Sequence, residues 1–596
     1  MSIKKREDIA VQYKWNLEDM YKGSELWEAD FEQTKVLMQG IESYRGRLGE
    51  SPETLAKVLD LLEELERKTE KLYVYAKMRR DEDNANASCQ VLFERIENLS
   101  VQLGSATSFI VPEIISNPEE RIRAFMAENE QLKIYEHYFD ELMRQKPHIL
   151  SEKEERLLAM AADLSMASGN IFSMLNNADI KFALIKDEEG KELELTKGRY
   201  GRFMESSDRR VRKEAFEALY ASYSKLKNTL AATLSSSVRK DIFYARARNY
   251  PSALEAALDG DNVSPKVYER LIDSVHNNID LMYKYIEIRK KILGLAELHM
   301  YDIYTPLVKE YRMEIPYEKA KEIVVEALEP LGEEYVSVLQ QGLAGGWIDV
   351  YENEGKTSGA YSWGCYESHP YVLLNYDNKL DDLFTLAHEM GHSMHSYYSN
   401  RNQPHLYSHY SIFVAEVAST VNESLLIDYL LKNCRESQEK LYLLNHYLEQ
   451  FRGTVFRQTM FAEFERIIHD EVEKGGALNP ETLSNIYREL NRFYYGPQMV
   501  LDQEIDMEWS RIPHFYSAFY VYKYATGFSA ATALKEQILH GGTAALERYL
   551  EFLKSGSSDY PVNLLQKAGV DLNSPEPVDT ALKYFSRLLK EVEEII

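Results

Sequence analysis

Apolar residues recur at three- and four-residue steps over most of this chain, and no other feature restricts its fold as strongly. The run "SPETLAKVLDLLEELERKTEKLYVYAKMRRDED" (residues 51–83) places charged residues between the apolar ones, as in an amphipathic helix. It begins with Ser51 and Glu53, residue types that favour a helix start. Because similar runs continue through the chain, the sequence predicts a mostly α protein.

Two segments interrupt this helical periodicity. "IKFALIKDEEGKELELTKGRY" (180–200) has two β-like runs around "DEEGK", which predicts a hairpin. In 345–377, "WIDVY" and "YVLLNY" flank a segment rich in Gly and Ser, which predicts a small sheet beside the next helix. We expect an N-terminal helical region over 1–185 and a second region over 186–596, with a helix near 381–398.

The composition excludes several classes of function. A net charge of −26 argues against nucleic acid as a partner, because phosphate binding requires a basic face. The three cysteines match no metal or redox spacing, and so few thiols are typical of a reducing compartment. The first residues lack the apolar core of a signal peptide, and no run approaches about eighteen apolar residues. We therefore predict a cytoplasmic protein that binds neither nucleic acid nor a membrane.

The segment "DDLFTLAHEMGHSMHSYY" (381–398) carries the most specific chemistry. On a helix, His388 and His392 lie on one face a turn apart, where both imidazoles can reach one ion. Glu389 lies about 100° round the helix, where a carboxylate can take a proton from a water molecule beside the metal. The alternative is a core helix that carries imidazoles, but histidines beside an apolar face need partners or a metal.

The third protein ligand is less obvious. His395 lies about 10.5 Å along the helix from His388, so it is expected to be a neighbour of the metal site, acting through other side chains. The metzincin pattern would need glycine and histidine where this chain has His395 and Tyr398. In "YSIFVAEVASTVNESLLIDYLL", Glu416 and Glu423 share one helix face, which points either outward or toward a metal.

The pair "HEMGHSMHS" and "FVAEVASTVNESLL" resembles the thimet oligopeptidase family of zinc peptidases, and within it the oligoendopeptidase F branch. "WNLEDMY", "RDEDNANA", "LDGDNVS" and "RIPHFYSAFYVYKYATG" extend the resemblance over essentially the whole chain. It implies a two-lobed helical fold of the zincin type with a deep substrate channel. It also implies one zinc ion held by His388, His392 and Glu416, with Glu389 as the base and Glu423 supporting a ligand histidine.

The resemblance also implies donors to the reaction's oxyanion in "HFYSAFYVYKYATG" (514–527). His514 matches the family well, but the family's usual tyrosine places fall on other residue types here. The tyrosines in this stretch are Tyr516, Tyr520, Tyr522 and Tyr524. We expect Tyr520 and Tyr524, a helical turn apart, to be the donors and the others to be packing.

The segment "HPYVLLNY" (369–376) alternates as a strand does. We expect an edge strand in which Tyr371, Val372 and Leu373 bind the substrate backbone by β-addition, with His369 as a further substrate contact. The glycines of "SGAYSWG" (358–364) predict a mobile loop that closes over substrate.

These features predict a zinc-dependent endopeptidase that hydrolyses internal bonds of short, unfolded oligopeptides. One alternative is a dipeptidyl carboxypeptidase on the same scaffold. The other is a helical peptide-binding protein with a non-catalytic metal, although such a site would not need Glu389.

Overall fold

The computed structural model describes residues 3–308, 311 and 313–596, and helices dominate these ranges. The α-helices are α1 Ser24–Glu42, α2 Pro52–Glu82, α3 Ala87–Thr107, α4 Ile110–Ser116, α5 Glu119–Glu128, α6 Glu136–Gln145, α7 Glu152–Met174, α8 Lys197–Met204, α9 Arg209–Ser224, α10 Lys227–Ala247, α11 Ala253–Asp259, α12 Pro265–Asn277, α13 Asp280–Leu293, α14 Tyr317–Ala327, α15 Gly332–Ala344, α16 Leu380–Asn402, α17 His405–Ser408, α18 Ile412–Asn433, α19 Ser437–Phe451, α20 Arg457–Glu473, α21 Pro480–Tyr495, α22 Tyr522–His540, α23 Thr543–Lys554, α24 Pro561–Lys567 and α25 Glu576–Ile595. The mostly α class predicted from the sequence is confirmed.

The strands are short and form small sheets. They are β1 Leu184–Lys186, β2 Glu192–Glu194, β3 Leu298–His299, β4 Ile348–Asp349, β5 Tyr361–Trp363, β6 Tyr371–Leu373 and β7 Met499–Val500. β1 and β2 pair antiparallel around "DEEGK", so the predicted hairpin is confirmed. β3 pairs with β7 in parallel. In the sheet beside α16, β6 lies between β4, its parallel neighbour, and β5, its antiparallel neighbour.

The chain forms two compact units, each built from three stretches of sequence. Unit 1 is Met1–Pro147, Arg312–Tyr429 and Leu534–Gly569, and unit 2 is His148–Tyr311, Leu430–Ala533 and Val570–Ile596. The boundary expected near residue 185 coincides with no boundary of these units. Periodicity in a sequence predicts that helices form, but not which later segments they pack against.

The core of unit 1 joins the N-terminal helices to the sheet. Trp27 of α1 is fully buried, and its indole N–H donates to the carbonyl oxygen of Leu72 on α2 at 3.1 Å. Tyr371 and Leu373 of β6 belong to the same apolar cluster and are also fully buried. Burying a large aromatic side chain stabilises a fold by about 2 kcal/mol, so this cluster fixes the sheet against the first three helices.

Local chemistry determines where the key helices begin. The hydroxyl of Ser51 accepts from the backbone N–H of Thr54 at 3.2 Å, and Pro52 occupies the first turn, so the predicted start of α2 is confirmed. At the start of α16 the bonds run the other way along the chain. The carboxylate of Asp382, in the first turn, accepts from the backbone N–H groups of Asp377 and Lys379 before the helix. The helix predicted near 381–398 therefore begins at Leu380.

One helical stretch of unit 2, Glu152–Asp179, is long and apolar enough to cross a membrane by length and composition alone. Its apolar window is only 11% buried, and Leu157 and Leu164 are among its exposed side chains. A single helix of this kind is weak evidence for a membrane span.

Candidate metal centre

Helices α16 and α18 of unit 1 approach closely because Gly391 has no side chain. A Cβ atom on Gly391 would lie 2.6 Å from the Cα of Ser419 and 2.9 Å from the carbonyl oxygen of Ala418. Next to this contact, the buried side-chain amide of Asn422 donates to the carbonyl oxygen of Ala387 at 3.1 Å. Glycine at position 391 allows the close approach, and this hydrogen bond holds the backbone of α18 against α16.

This approach brings one carboxylate of α18 to two imidazoles of α16. Glu416 Oε2 lies 3.2 Å from His388 Nε2 and 3.4 Å from His392 Nε2, and the two nitrogens are 3.2 Å apart. Donors held about 2.0 Å from a zinc ion lie about 3.3 Å from one another at the corners of a tetrahedron. The three atoms therefore fit one face of a tetrahedral site, with the fourth corner left for a ligand from outside the protein.

Glu423 fixes the orientation of His388. Its Oε1 lies 2.5 Å from His388 Nδ1, so the Nδ1–H donates to the carboxylate and Nε2 faces Glu416 and His392. Although burial opposes it, hydrogen bonding to Glu416 and Glu423 raises the pKa of His388 to about 10. Although burial opposes it, hydrogen bonding to His388 and His392 holds the pKa of Glu416 well below its usual range. In charge and geometry, the cluster suits a cation.

Replacing Glu423 by alanine is expected to weaken metal binding by about 10- to 100-fold, because His388 loses the acceptor that sets its ring orientation. Competition with a chelator measures the affinity. Glu551→Ala is the control, since Glu551 is an exposed residue of α23 whose carboxylate pairs with Lys554. Equal affinities for the wild type and Glu423→Ala would contradict the orienting role.

Glu389 is close to the three donors but is not one of them. Its side chain is buried, and burial raises the pKa of its carboxyl, against the lowering effect of His388 and His392. The backbone of Ser362 on β5 lies beside this carboxylate and has a smaller, lowering effect on its pKa. A carboxylate in this environment can accept a proton and return it.

His395 lies one turn beyond the ligand pair. Its ring is buried and stacks on Tyr410, with centroids 3.6 Å apart, and burial lowers the pKa of His395 to about 3. The hydroxyl of Tyr410 lies 2.9 Å from that of Ser396 and 3.4 Å from the carbonyl oxygen of His392. His395 therefore supports the segment before α18, and Tyr410 links it to the backbone of His392.

The predicted substrate strand is wrong in its position within the sheet. Tyr371, Val372 and Leu373 form β6, which is the central strand of three and is fully buried. Both of its edges already pair, so no edge is available for a peptide backbone. The segment predicted as a mobile loop instead contains β5, whose Ser362 also contacts Glu389.

β5 is the open edge of this sheet among the residues that the structure describes. At the other edge, β4 is followed by Val350, whose N–H donates to the carbonyl oxygen of Tyr13, and Asn16 N–H donates to Gly346 just before it. The N-terminal segment therefore covers β4. The side of β5 away from β6 pairs with no described strand.

His369 is also placed differently from the prediction. Its ring stacks on Trp347 at 5.1 Å, its Nδ1 lies 2.8 Å from the carbonyl oxygen of Pro370, and its Nε2 lies 3.2 Å from Asp19 Oδ2. Both ring nitrogens therefore have acceptors within the protein. His369 anchors the N-terminal segment, and these contacts do not support its predicted role as a substrate contact.

In unit 2, His514, Tyr520 and Tyr524 lie together. The hydroxyl of Tyr524 is 3.4 Å from His514 Nε2, and the rings of Tyr520 and Tyr524 are 5.5 Å apart. Burial, and then Arg457, lower the pKa of His514, which favours the neutral imidazole. Tyr520 precedes α22 and so is not on the same helix as Tyr524, unlike the sequence expectation.

The other two tyrosines of this stretch are packing residues. Tyr516 stacks on Phe172 and its hydroxyl lies 2.8 Å from that of Thr233. Tyr522 is fully buried against Tyr268. These contacts agree with the expectation that Tyr516 and Tyr522 are not donors to the oxyanion.

Sequence reasoning missed the residues that hold the helices together, namely Gly391, Asn422, Ser362 and Tyr410. For Gly391 a signal was present, because a glycine inside a helix costs about 1 kcal/mol relative to alanine and usually has a packing reason. The sequence carried no such signal for Asn422, Ser362 and Tyr410, because their partners are distant in sequence.

Comparison with known proteins shows similarity to peptidases. A model described as "Peptidase family M3" matches residues 202–584, and one described as "Oligopeptidase F" matches residues 113–182. Oligopeptidase PepF of Bacillus subtilis is 50% identical over 99% of this chain and 88% of its own length. An oligoendopeptidase F homolog of Lactococcus lactis is 43% identical over 100% and 99%. The crystal structure of oligoendopeptidase-F from Enterococcus faecium matches with a TM-score of 0.74 and 39% identity, over 96% of this chain and 99% of that one.

Proposed function

This chain belongs to peptidase family M3, and from that membership we infer a metallo-endopeptidase that acts on oligopeptides. For its metal we propose one zinc ion held by His388, His392 and Glu416. The observation that carries the proposal is the set of three donor atoms 3.2 to 3.4 Å apart, beside the buried carboxylate of Glu389. Two imidazoles and one carboxylate with an open fourth position are typical of catalytic rather than structural zinc.

The chemistry is divided between the metal and the residues around it. A bound zinc ion would act as a Lewis acid toward the scissile carbonyl and a water molecule. Glu389 takes a proton from the attacking water and later gives it to the leaving nitrogen. Glu423 keeps the Nδ1 proton of His388 in place throughout, so the ligand geometry does not change as charge develops.

His514, Tyr520 and Tyr524 are the proposed donors to the oxyanion. Their mutual contacts and the neutral state favoured for His514 support this role, because a neutral imidazole and two phenols can each donate one hydrogen bond. The family resemblance assigns the histidine, whereas the tyrosines rest on their clustering with it.

Tyr524→Phe is expected to lower kcat by about 100-fold with little change in KM, because an oxyanion donor acts mainly in the transition state. The matched control is Tyr516→Phe, whose hydroxyl bonds to Thr233 and should not affect turnover. Steady-state kinetics on one quenched peptide compares them. A wild-type kcat for Tyr524→Phe, or a change in KM alone, would rule out the donor role.

β5 is the proposed substrate-binding edge. It is the open edge of the sheet, and Ser362 on it contacts the base Glu389. A peptide that adds to β5 would be extended, with its backbone bonded to the protein at alternate residues. Because only an unfolded segment can pair in this way, the proposal accounts for a preference for short, unfolded oligopeptides.

One experiment separates this function from its alternatives. A ten-residue quenched peptide is digested with its C-terminus free or amidated, and the products are identified by mass spectrometry. An endopeptidase gives the same internal cleavage in both cases. A dipeptidyl carboxypeptidase would release C-terminal dipeptides from the free form only, and a binding protein with a non-catalytic metal would give no products.

The proposed location is the cytoplasm. The free thiols Cys89, Cys365 and Cys434 support a reducing compartment. Fractionation of the native cells, with the protein recovered beside a cytoplasmic marker, tests this assignment.

A further inference from the structure

A second cluster of metal-type donors lies in unit 1, away from the three ligands described above. Glu70 of α2 meets His405, the first residue of α17, and His409, just after it. Glu70 Oε2 is 3.5 Å from His405 Nε2, and Glu70 Oε1 is 3.4 Å from His409 Nε2. The three donor atoms all lie within 4.8 Å of one another. The two distances start from different oxygens of Glu70, and each is close to the separation of about 3.3 Å between two ligands of tetrahedral zinc.

His405 is the unusual member of this cluster. Its ring is only 5% exposed, and neither ring nitrogen has a hydrogen-bond partner among the residues that the structure describes. Buried polar groups are almost always paired, because leaving one unpaired costs about 1 to 3 kcal/mol. A cation beside Nε2 would supply the missing partner.

The surroundings hold the donors in place. The backbone N–H of Tyr366 donates to Glu70 Oε2 at 3.2 Å, and the ring of Tyr366 meets that of His405 edge-on at 5.4 Å. Such outer contacts orient metal ligands in known sites. His409 is exposed and borders a cavity of about 160 Å³ that Glu70 also lines, so an ion and its water molecules can enter from solvent.

We propose that Glu70, His405 and His409 bind a second divalent ion of the zinc type, with a water molecule completing the coordination. The ion would be structural, because it joins α2 to the segment that follows α16. The proposal does not depend on the peptidase assignment, because it rests on the donors of this cluster alone.

The position of the site gives the ion a role. Residues 403–411 connect α16, which carries His388 and His392, to α18, which carries Glu416. A second ion would tie this connector to α2. Tyr410, next to His409, stacks on His395 and contacts the carbonyl oxygen of His392. The ion would therefore restrain the segment that sets the separation of the two ligand-bearing helices.

The test is the zinc content of the full-length protein. The protein is stripped with a chelator and dialysed against zinc buffered at about 1 μM. We expect two ions in the wild type, one in Glu70→Gln, one in His409→Ala, and one in His392→Ala, which disrupts only the first site. The double variant His392→Ala/His409→Ala should bind none. His409 is exposed, so its replacement should leave the fold intact.

His540→Ala is the matched control, because His540 is another exposed histidine of unit 1 with one distant carboxylate at 3.8 Å. It should keep two ions. A wild type that binds a single ion, or a second ion that survives in both Glu70→Gln and His409→Ala, overturns the proposal.

A second readout tests the structural role. Adding zinc to His392→Ala should slow amide hydrogen exchange in residues 403–411, and the same addition to His392→Ala/His409→Ala should not. Equal exchange with and without zinc in His392→Ala would exclude a restraint on the connector, whatever the stoichiometry.

Discussion

Glu389→Gln is expected to bind one zinc ion at the first site as the wild type does, and to lose about 10³-fold in kcat. The amide has the size of the carboxylate but cannot take a proton from the attacking water. Glu389 is not among the three donor atoms, so its replacement leaves the ligand set of His388, His392 and Glu416 unchanged. The loss should therefore appear in turnover and not in metal content.

The measurement pairs cleavage of a quenched peptide with metal analysis of the same sample. Glu551→Gln serves as the control, because it makes the same chemical change at an exposed residue of α23, which packs against α16. Full activity in Glu389→Gln would exclude Glu389 as the base. A loss of both metal and activity would show that Glu389 stabilises the site and does not act on the water.

Gly391→Ala is expected to have the second large effect, although it adds one methyl group in the middle of a helix. The new Cβ would lie 2.6 Å from the Cα of Ser419, whereas non-bonded carbon atoms require about 3.5 to 4.0 Å. The two helices must therefore separate by about 1 Å, while metal ligands tolerate about 0.2 Å. We expect metal affinity to fall at least about 100-fold and stability by about 2 kcal/mol.

The control is the same substitution where space allows it. Gly104 lies inside α3 with no atom within 4 Å of its would-be Cβ, so Gly104→Ala should stabilise the protein by about 0.5 kcal/mol. Chelator competition and thermal unfolding compare the two variants. If Gly391→Ala binds zinc as tightly as the wild type, the close approach of α16 and α18 is not what positions Glu416.

The helices and the ligand pair could be predicted because they depend on local sequence. The spacing of His388 and His392 requires only that their segment be a helix, and the apolar periodicity around them predicts one. Glu416 and Glu423 lie on the same face of another helix, but their spacing alone does not determine whether that face points outward or toward a metal. What places it inward is the contact with Gly391, 25 to 32 positions earlier in the chain.

The strand assignment failed for a related reason. The segment 369–376 has the pattern of a strand, but the place of β6 in the sheet depends on β4, β5 and the N-terminal residues near Tyr13. Whether a strand is central or at an edge depends on pairing between distant segments, which single-sequence patterns do not encode. The partners of His369 could not be predicted for the same reason, because Trp347 and Asp19 lie elsewhere in the sequence.

The division of the chain bears on its synthesis by the ribosome. Residues 534–569 belong to unit 1 and include α23, whose Phe552 packs 5.4 Å from the ring of His395. Domains usually fold as units while the polypeptide emerges from its N-terminus, but unit 1 receives this last part only after most of unit 2 has been made. The nascent chain therefore lacks a complete support for α16, the helix of the proposed metal site, until late in translation. We expect proteolytic activity to appear only when synthesis is nearly finished.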